Sequence, residues 1–229
     1  MVDLSLNPAA RLSLRHVGGE RNPLLIIDEV LKVPKDLVDI ACDGRFIRPE
    51  NTVYPGLNGS LPESYSQDLI LSLRPVLERA FGLPSLPLSY FGFFGMATAP
   101  PSDLVAGQRV PHFDSTDPFR LALVHYLCRG PFGGTGFFRH KSTGYEGVDR
   151  NRLKAYQEAS HMDLASAPAE HVGADTAGYE MIESVDLMFN RLIVYRSHVL
   201  HSPLLRSQML TSDPQSGRLT ANSFVYVSG

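Results

Sequence analysis

Three observations predict a mainly β, α+β fold. Helical apolar periodicity is confined to the first third of the chain, a succession of short strand-like runs follows it, and turn formers abound, with 17 Pro and 19 Gly. Helices first and many short strands afterwards describe a jelly roll, or double-stranded β-helix, whose N-terminal helices pack on one sheet. The 229 residues suffice for one substantial core. A single domain is expected, with residues 1–86 as an N-terminal strand and helices, and residues 87–229 as the β core.

The elements follow in order. The first twenty residues are polar and aperiodic, an arm with at most one short strand. Leu24 to Asp28 has a buried-strand pattern, and Leu37, Val38, Ile40 and Ala41 fit a short amphipathic helix over residues 35–42. Pro49, Pro55, Gly56 and Gly59 make residues 48–60 a loop. Glu63 to Phe81 is the clearest helix, because Leu69, Leu73, Val76, Leu77 and Ala80 recur at helical spacing and Gly82-Leu83-Pro84 stops it. Pro75 within it predicts a kink or a break.

Leu88 to Ala97 alternates aromatics and glycines as a strand does, and Val110 to Phe113 reads as another. Leu121 to Cys128 is almost wholly apolar, as in a strand buried on both faces. A glycine-rich turn over residues 130–136 feeds Phe137-Phe138. Residues 139–180 break the β rhythm and read as an excursion, with a helix over the polar stretch 149–160. Leu192 to Tyr195 resumes the sheet, and Leu219 to Val227 closes it.

Composition narrows the function. A net charge of -3 offers no basic footprint for nucleic acid. No apolar run reaches ~18 residues and no basic-then-apolar signal opens the chain, so no membrane partner and a cytoplasmic location are expected. Cys42 and Cys128 lie far apart and suggest neither a disulfide framework nor a zinc knuckle.

The chemistry gathers around Gln108-Arg109-Val110-Pro111-His112-Phe113-Asp114. Residues i and i+2 of a strand share a face, so His112 and Asp114 are placed to converge on one ion. His201, at a strand end before Ser202-Pro203, supplies a third ligand, with His198 inside the strand as its rival. Two imidazoles and one carboxylate on one side of an ion suit redox-active Fe(II) with open positions. The similar triplet His161-Met162-Asp163 falls at the end of the helical stretch, where i and i+2 diverge, and is discarded. Further on, Arg218 opens an otherwise apolar strand, and alternation puts Thr220 on its face, so the two are placed to hold one carboxylate.

With His112, Asp114, His201, Arg218 and Thr220 in this order, the chain resembles the iron(II)/2-oxoglutarate-dependent oxygenases. Leu121 to Leu127, the turn Gly133-Gly134 and the run Asn190 to Tyr195 add to the likeness, which covers Leu88 to Val227 and, more loosely, Leu24 to Cys42. It is nearest to the prolyl-hydroxylase-like and phytanoyl-hydroxylase-like branches. The resemblance implies that His112, Asp114 and His201 form the catalytic iron site. It implies that Arg218 grips the distal carboxylate of 2-oxoglutarate with Thr220 assisting, and that Tyr126 stands near that cosubstrate. The segment from Leu204 to Ser216 is long for the family, so Arg206 is the alternative to Arg218.

The activity implied uses Fe(II), 2-oxoglutarate and O2 to oxidise a C–H bond of a small molecule. Hydroxylation is the default, with desaturation or ring closure as variants, and succinate and carbon dioxide are the co-products. An amino acid or a close derivative is the expected substrate class. Arg139 and His140, at the start of the excursion, are expected to receive its anionic group, with residues 149–180 as a covering lid. Two rivals stand beside this reading: a cupin-like metal enzyme that does not use 2-oxoglutarate, and an inactive β-helix serving as a binding module.

Overall fold

Strand alternation sorts most of the apolar side chains onto the two faces of one large antiparallel sheet. The computed structural model describes residues 2–50, 54–206 and 210–227. In chain order the large sheet takes β1 (Arg11–Val17), β2 (Asn22–Asp28), β3 (Phe46–Ile47), β4 (Gly56–Ser60), β5 (Leu88–Ala97), β6 (Leu121–Tyr126), β9 (Arg191–Arg196) and β11 (Leu219–Val227). Their spatial order is β1-β2-β9-β6-β11-β5-β4-β3. A smaller sheet has the order β10-β7-β8, from β7 (Thr135–His140), β8 (Tyr179–Val185) and β10 (His201–Pro203).

On β9, Leu192 and Val194 turn to one core cluster while Ile193 and Tyr195 turn to another. The first cluster lies under the helices α1 (Pro34–Asp43) and α2 (Glu63–Phe81), and the second lies between the two sheets, where Phe137 and Val185 meet Ala122 and Tyr126. Burial on both faces explains the nearly unbroken apolar run of β6. Helix α2 docks through Tyr65, Leu69, Leu73 and Leu77, at four-residue spacing. Each such leucine contributes roughly 1.5–3 kcal/mol relative to exposure. The helix passes through Pro75 without ending and stops at Gly82, left-handed at φ 59°.

A polar network ties the helical layer to the sheet. The Tyr65 hydroxyl meets His125 Nδ1 at 2.9 Å, and His125 Nε2 meets Asn190 Oδ1 at 3.1 Å. Asn190 also brackets Leu31, accepting its N–H and donating to its carbonyl. Since Asn190 Oδ1 can only accept, Nε2 carries the His125 proton and Nδ1 accepts from Tyr65. Burial holds this imidazole down to about 4, although the Asn190 bond opposes the shift.

Several expectations need correction. The N-terminal arm holds a full seven-residue strand, β1, paired along its whole length with β2. The expected loop over residues 48–60 contains β4, which pairs with β5 despite its two glycines. The expected strand at Val110 to Phe113 is irregular backbone held by one bridge, His112 to His201. His201 begins a strand, and its rival His198 sits in the preceding turn, not inside a strand. Helix α3 (Leu153–Ser166) starts later than expected and runs through His161-Met162-Asp163. The Asp149 carboxylate, accepting from the N–H groups of Asn151 and Arg152, holds the turn before it.

Candidate functional site

Between the sheets lies a cavity of about 610 Å³, and His112, Asp114, His201, Arg218 and Thr220 all line it. The histidines come together through backbone pairing. The N–H of His112 donates to the His201 carbonyl at 2.9 Å, and the N–H of His201 donates back at 2.8 Å. Asp114 is held one step on, its N–H donating to the Ser197 carbonyl at 2.8 Å. His112 Nε2 stands 3.8 Å from Asp114 Oδ1, and His201 Nε2 stands 3.5 Å from Asp114 Oδ2. One ligating atom from each of the three falls within 4.8 Å of the others.

The protonation states suit a cation. His201 Nδ1 lies 2.9 Å from the Val199 carbonyl, which places the ring proton there and leaves the Nε2 lone pair facing the cluster. Burial, reinforced by His201, brings His112 down to about 4 against the pull of Asp114. Burial brings His201 to about 4 as well. Burial also raises the Asp114 carboxyl, with His112 and Arg120 opposing. Two neutral imidazoles and a carboxylate in one cleft form a donor set with a deficit of positive charge. A divalent ion fits it.

Arg218 is 3 % exposed and stands just before β11. Its Nε and Nη2 donate to the carbonyls of Gly133 and Gly134, both at 3.2 Å. That turn demands glycine: Gly133 has φ +83°, and a Cβ there would meet the Leu204 carbonyl oxygen at 1.6 Å. Two neutral acceptors do not neutralise the guanidinium, and its remaining edge is open to the cavity. Thr220 follows on the same face, accepting from Asn222 Nδ2 at 3.1 Å and donating to the Gly95 carbonyl at 3.3 Å. Arg206 is exposed and does not line the cavity. Tyr126 is wholly buried beneath the Arg218 guanidinium, 5.8 Å from ring centroid to Cζ, and bonds Thr135 Oγ1 at 2.7 Å. It braces the arginine and does not line the cavity.

Arg139 and His140 are brought elsewhere, which corrects their expected substrate role. Arg139 pairs with the buried Glu146 and with Glu180 at 2.8 Å. His140 is fully buried between Thr143 and Asp163, each 2.9 Å away. Residues 139–180 supply no side chain to the cavity; α3 instead packs through Tyr156 on Tyr179, against the small sheet. The excursion is a structural layer, because its apolar residues Val148, Tyr156 and Val172 are spent on that contact.

Sequence reasoning passed over Tyr54, Arg120 and Asn222, which also line the cavity. Tyr54 has its phenol pushed up by burial, with the Arg218 charge and the Thr220 and Asn222 side chains pulling the other way. Asn222 was findable, since it is the polar residue two places beyond Thr220 in an apolar strand. Arg120 carried the same signal as Arg218, a charge opening an apolar strand.

The structure is similar to HygX from Streptomyces hygroscopicus with nickel and 2-oxoglutarate bound, at 11 % identity over 91 % of this chain and 84 % of that chain, with a TM-score of 0.52. It is also similar to SnoK, a non-heme alpha ketoglutarate dependent carbocyclase from nogalamycin biosynthesis, at 13 % identity, 91 % and 81 % coverage and a TM-score of 0.49. A prolyl-4-hydroxylase from Pseudomonas putida matches at 14 % identity, 91 % and 89 % coverage and a TM-score of 0.41. No curated protein matches the sequence. Among the described residues no helix is long and apolar enough to cross a membrane. At this identity the likeness to HygX is one of fold. Residues 8–225 match a family of unknown function, DUF6445, and the chain belongs to that family.

Proposed function

We propose that this protein is an Fe(II)/2-oxoglutarate-dependent dioxygenase on a double-stranded β-helix formed by the chain as one domain, oxidising a C–H bond of a small molecule. The observation that carries the reading is a shared cavity. A convergent His112–Asp114–His201 cluster and a buried arginine, hydrogen-bonded among the described residues to two carbonyls, face the same space. A cupin-like enzyme without 2-oxoglutarate has no use for that arginine. An inactive module has no reason to retain three convergent ligands.

His112, Asp114 and His201 would hold the iron, which when bound supplies the activation of O2 that the side chains cannot. The chain's own part is orientation and exclusion. The His112–His201 backbone bridge fixes the two imidazoles, and Val199 keeps the His201 proton on Nδ1. Arg218, with Thr220 beside it, would take the distal carboxylate of 2-oxoglutarate in a charge-assisted pair. Tyr126 holds the floor beneath that pair through Thr135. The apolar walls from Phe93, Ala122 and Phe224 limit water and favour a substrate with an apolar body. An amino acid or close derivative remains the proposed substrate class.

The test is metal binding and turnover of 2-oxoglutarate. Asp114→Ala is expected to weaken Fe(II) binding at least ~10²-fold and to stop succinate formation. Asp163→Ala, in the discarded triplet, is expected to change neither. If the Asp163 variant loses iron while the Asp114 variant keeps it, the site is misassigned.

A further inference from the structure

The cavity contains a second arginine that the chemistry above leaves unused. Arg120, immediately before β6, lines it. Its guanidinium carbon lies 5.2 Å from the ring centroids of both Phe91 and Phe224, and 5.8 Å from that of Tyr226. The three rings hold the guanidinium by cation–π contact, which takes up none of its N–H groups as hydrogen-bond donors, so the N–H fork is left for recognition. Nε of that fork is buried and has no hydrogen-bond acceptor among the described residues. Asp114, the carboxylate that feels the Arg120 charge, stands within ion-pair distance of the two histidines instead. A buried N–H without an acceptor costs free energy unless something else fills the place.

The register locates this group relative to Arg218. Thr220 of β11 lies opposite Tyr126, and Phe224 lies opposite Ala122. Four residues of extended strand span roughly 13 Å. The Arg218–Thr220 end and the Arg120–Phe224 end are therefore separated by about the length of a small metabolite. Phe93, 6.3 Å from Phe224 between centroids, extends the aromatic wall back along the cavity. We propose that Arg120 receives the carboxylate of the substrate, at the opposite end of the cavity from 2-oxoglutarate, with Phe224 and Phe93 taking a planar or apolar body. A carboxylate is favoured over a tetrahedral anion because two coplanar oxygens match the planar N–H fork of a guanidinium. The inference rests on the dioxygenase reading for the identity of the other end.

Benzoate is the probe, with benzamide as its neutral isostere, titrated calorimetrically into the metal-free full-length protein. Benzoate is expected to bind at least tenfold more tightly than benzamide. Arg120→Gln should erase that preference, while Arg218→Gln should keep it. Arg120→Met, which preserves the stacked stem, repeats the test should the Gln variant fail to fold, and should give the same loss. No preference in the wild type, a preference surviving both Arg120 variants, or one lost in Arg218→Gln overturns the proposal. Titrating 2-oxoglutarate separately, with Ni(II) present, keeps the two readings apart. Loss of 2-oxoglutarate binding with an Arg120-dependent benzoate preference removes only the cosubstrate reading. Intact 2-oxoglutarate binding without that preference removes only the substrate end.

Discussion

The functional side chains are prepared by short backbone contacts more than by regular structure. His112 lies outside any strand, and its position comes from two hydrogen bonds to His201. Arg218 is the sharper case, because two carbonyl partners leave the charge of a buried guanidinium without a counter-charge among the described residues. Truncating one side of a desolvated arginine–carboxylate pair costs a few kcal/mol. Arg218→Ala is therefore expected to raise the 2-oxoglutarate concentration needed for half-maximal succinate formation roughly 10²-fold, with iron binding intact. Arg206→Ala, on an exposed side chain, should change it less than threefold; the reverse order would move the clamp to the 204–216 segment. The three residues proposed as ligands were legible because their types and order carry the chemistry. Tyr54 and Arg120 were not, since their meaning depends on which strands become neighbours, and Arg139 misled because its cationic run looked free while Glu146 and Glu180 lay out of sight.

Among the elements, the turn between β1 and β2 depends on a partner far along the chain. The Glu146 side chain is 1 % exposed and accepts from the N–H groups of Gly19 and Glu20 at 2.8 and 2.9 Å, as well as from Arg139. Gly18 has φ +66°, and a Cβ there would fall 2.1 Å from Glu146 Oε2, so this contact also selects glycine. Burial pushes the Glu146 carboxyl up, but the backbone donors and Arg139 outweigh it and hold it below the ordinary 4.5. A depressed carboxyl contributes stability above its unfolded value and loses it as pH falls through the folded value. Glu146→Gln is expected to cost about 2 kcal/mol at pH 7, the worth of hydrogen bonds to a charged group. In urea melts the gap to wild type should close progressively below about pH 4.5. A gap that is constant down to pH 3 would show that shape, not charge, holds the turn. Elements with strong local signals, α2, β5 and β11, have the extents that periodicity predicts. Strand β4 and the bridge at His112 do not, because pairing partners create them against weak local preference.

At the scale of the whole molecule, neutral histidines lie on both sides of the large sheet. His125 lies on the helical face, while His112 and His201 lie on the cavity side, and burial is the leading cause that takes each to about 4. For His125 the layering decides this, since the helices cover one face of β6 and the smaller sheet covers the other. No local pattern announces it. In the unfolded chain a histidine titrates near 6.5. The stability these groups allow is thus complete above about pH 6.5 and falls as pH drops toward 4, because the unfolded state takes up protons that the folded state refuses. Each fully shifted histidine adds a slope of about 1.4 kcal/mol per pH unit within that window. His125→Gln isolates one of them, keeping an acceptor for Tyr65 and a donor for Asn190 without a titrating ring. Between pH 6 and 4.5, metal-free wild type should lose stability more steeply than His125→Gln by up to that amount. Denaturant midpoints and slopes measured across the window decide the matter. Equal slopes in the two proteins would mean that His125 is reached by water, and that the seal between α2 and β6 is looser than the Tyr65–His125–Asn190 network implies.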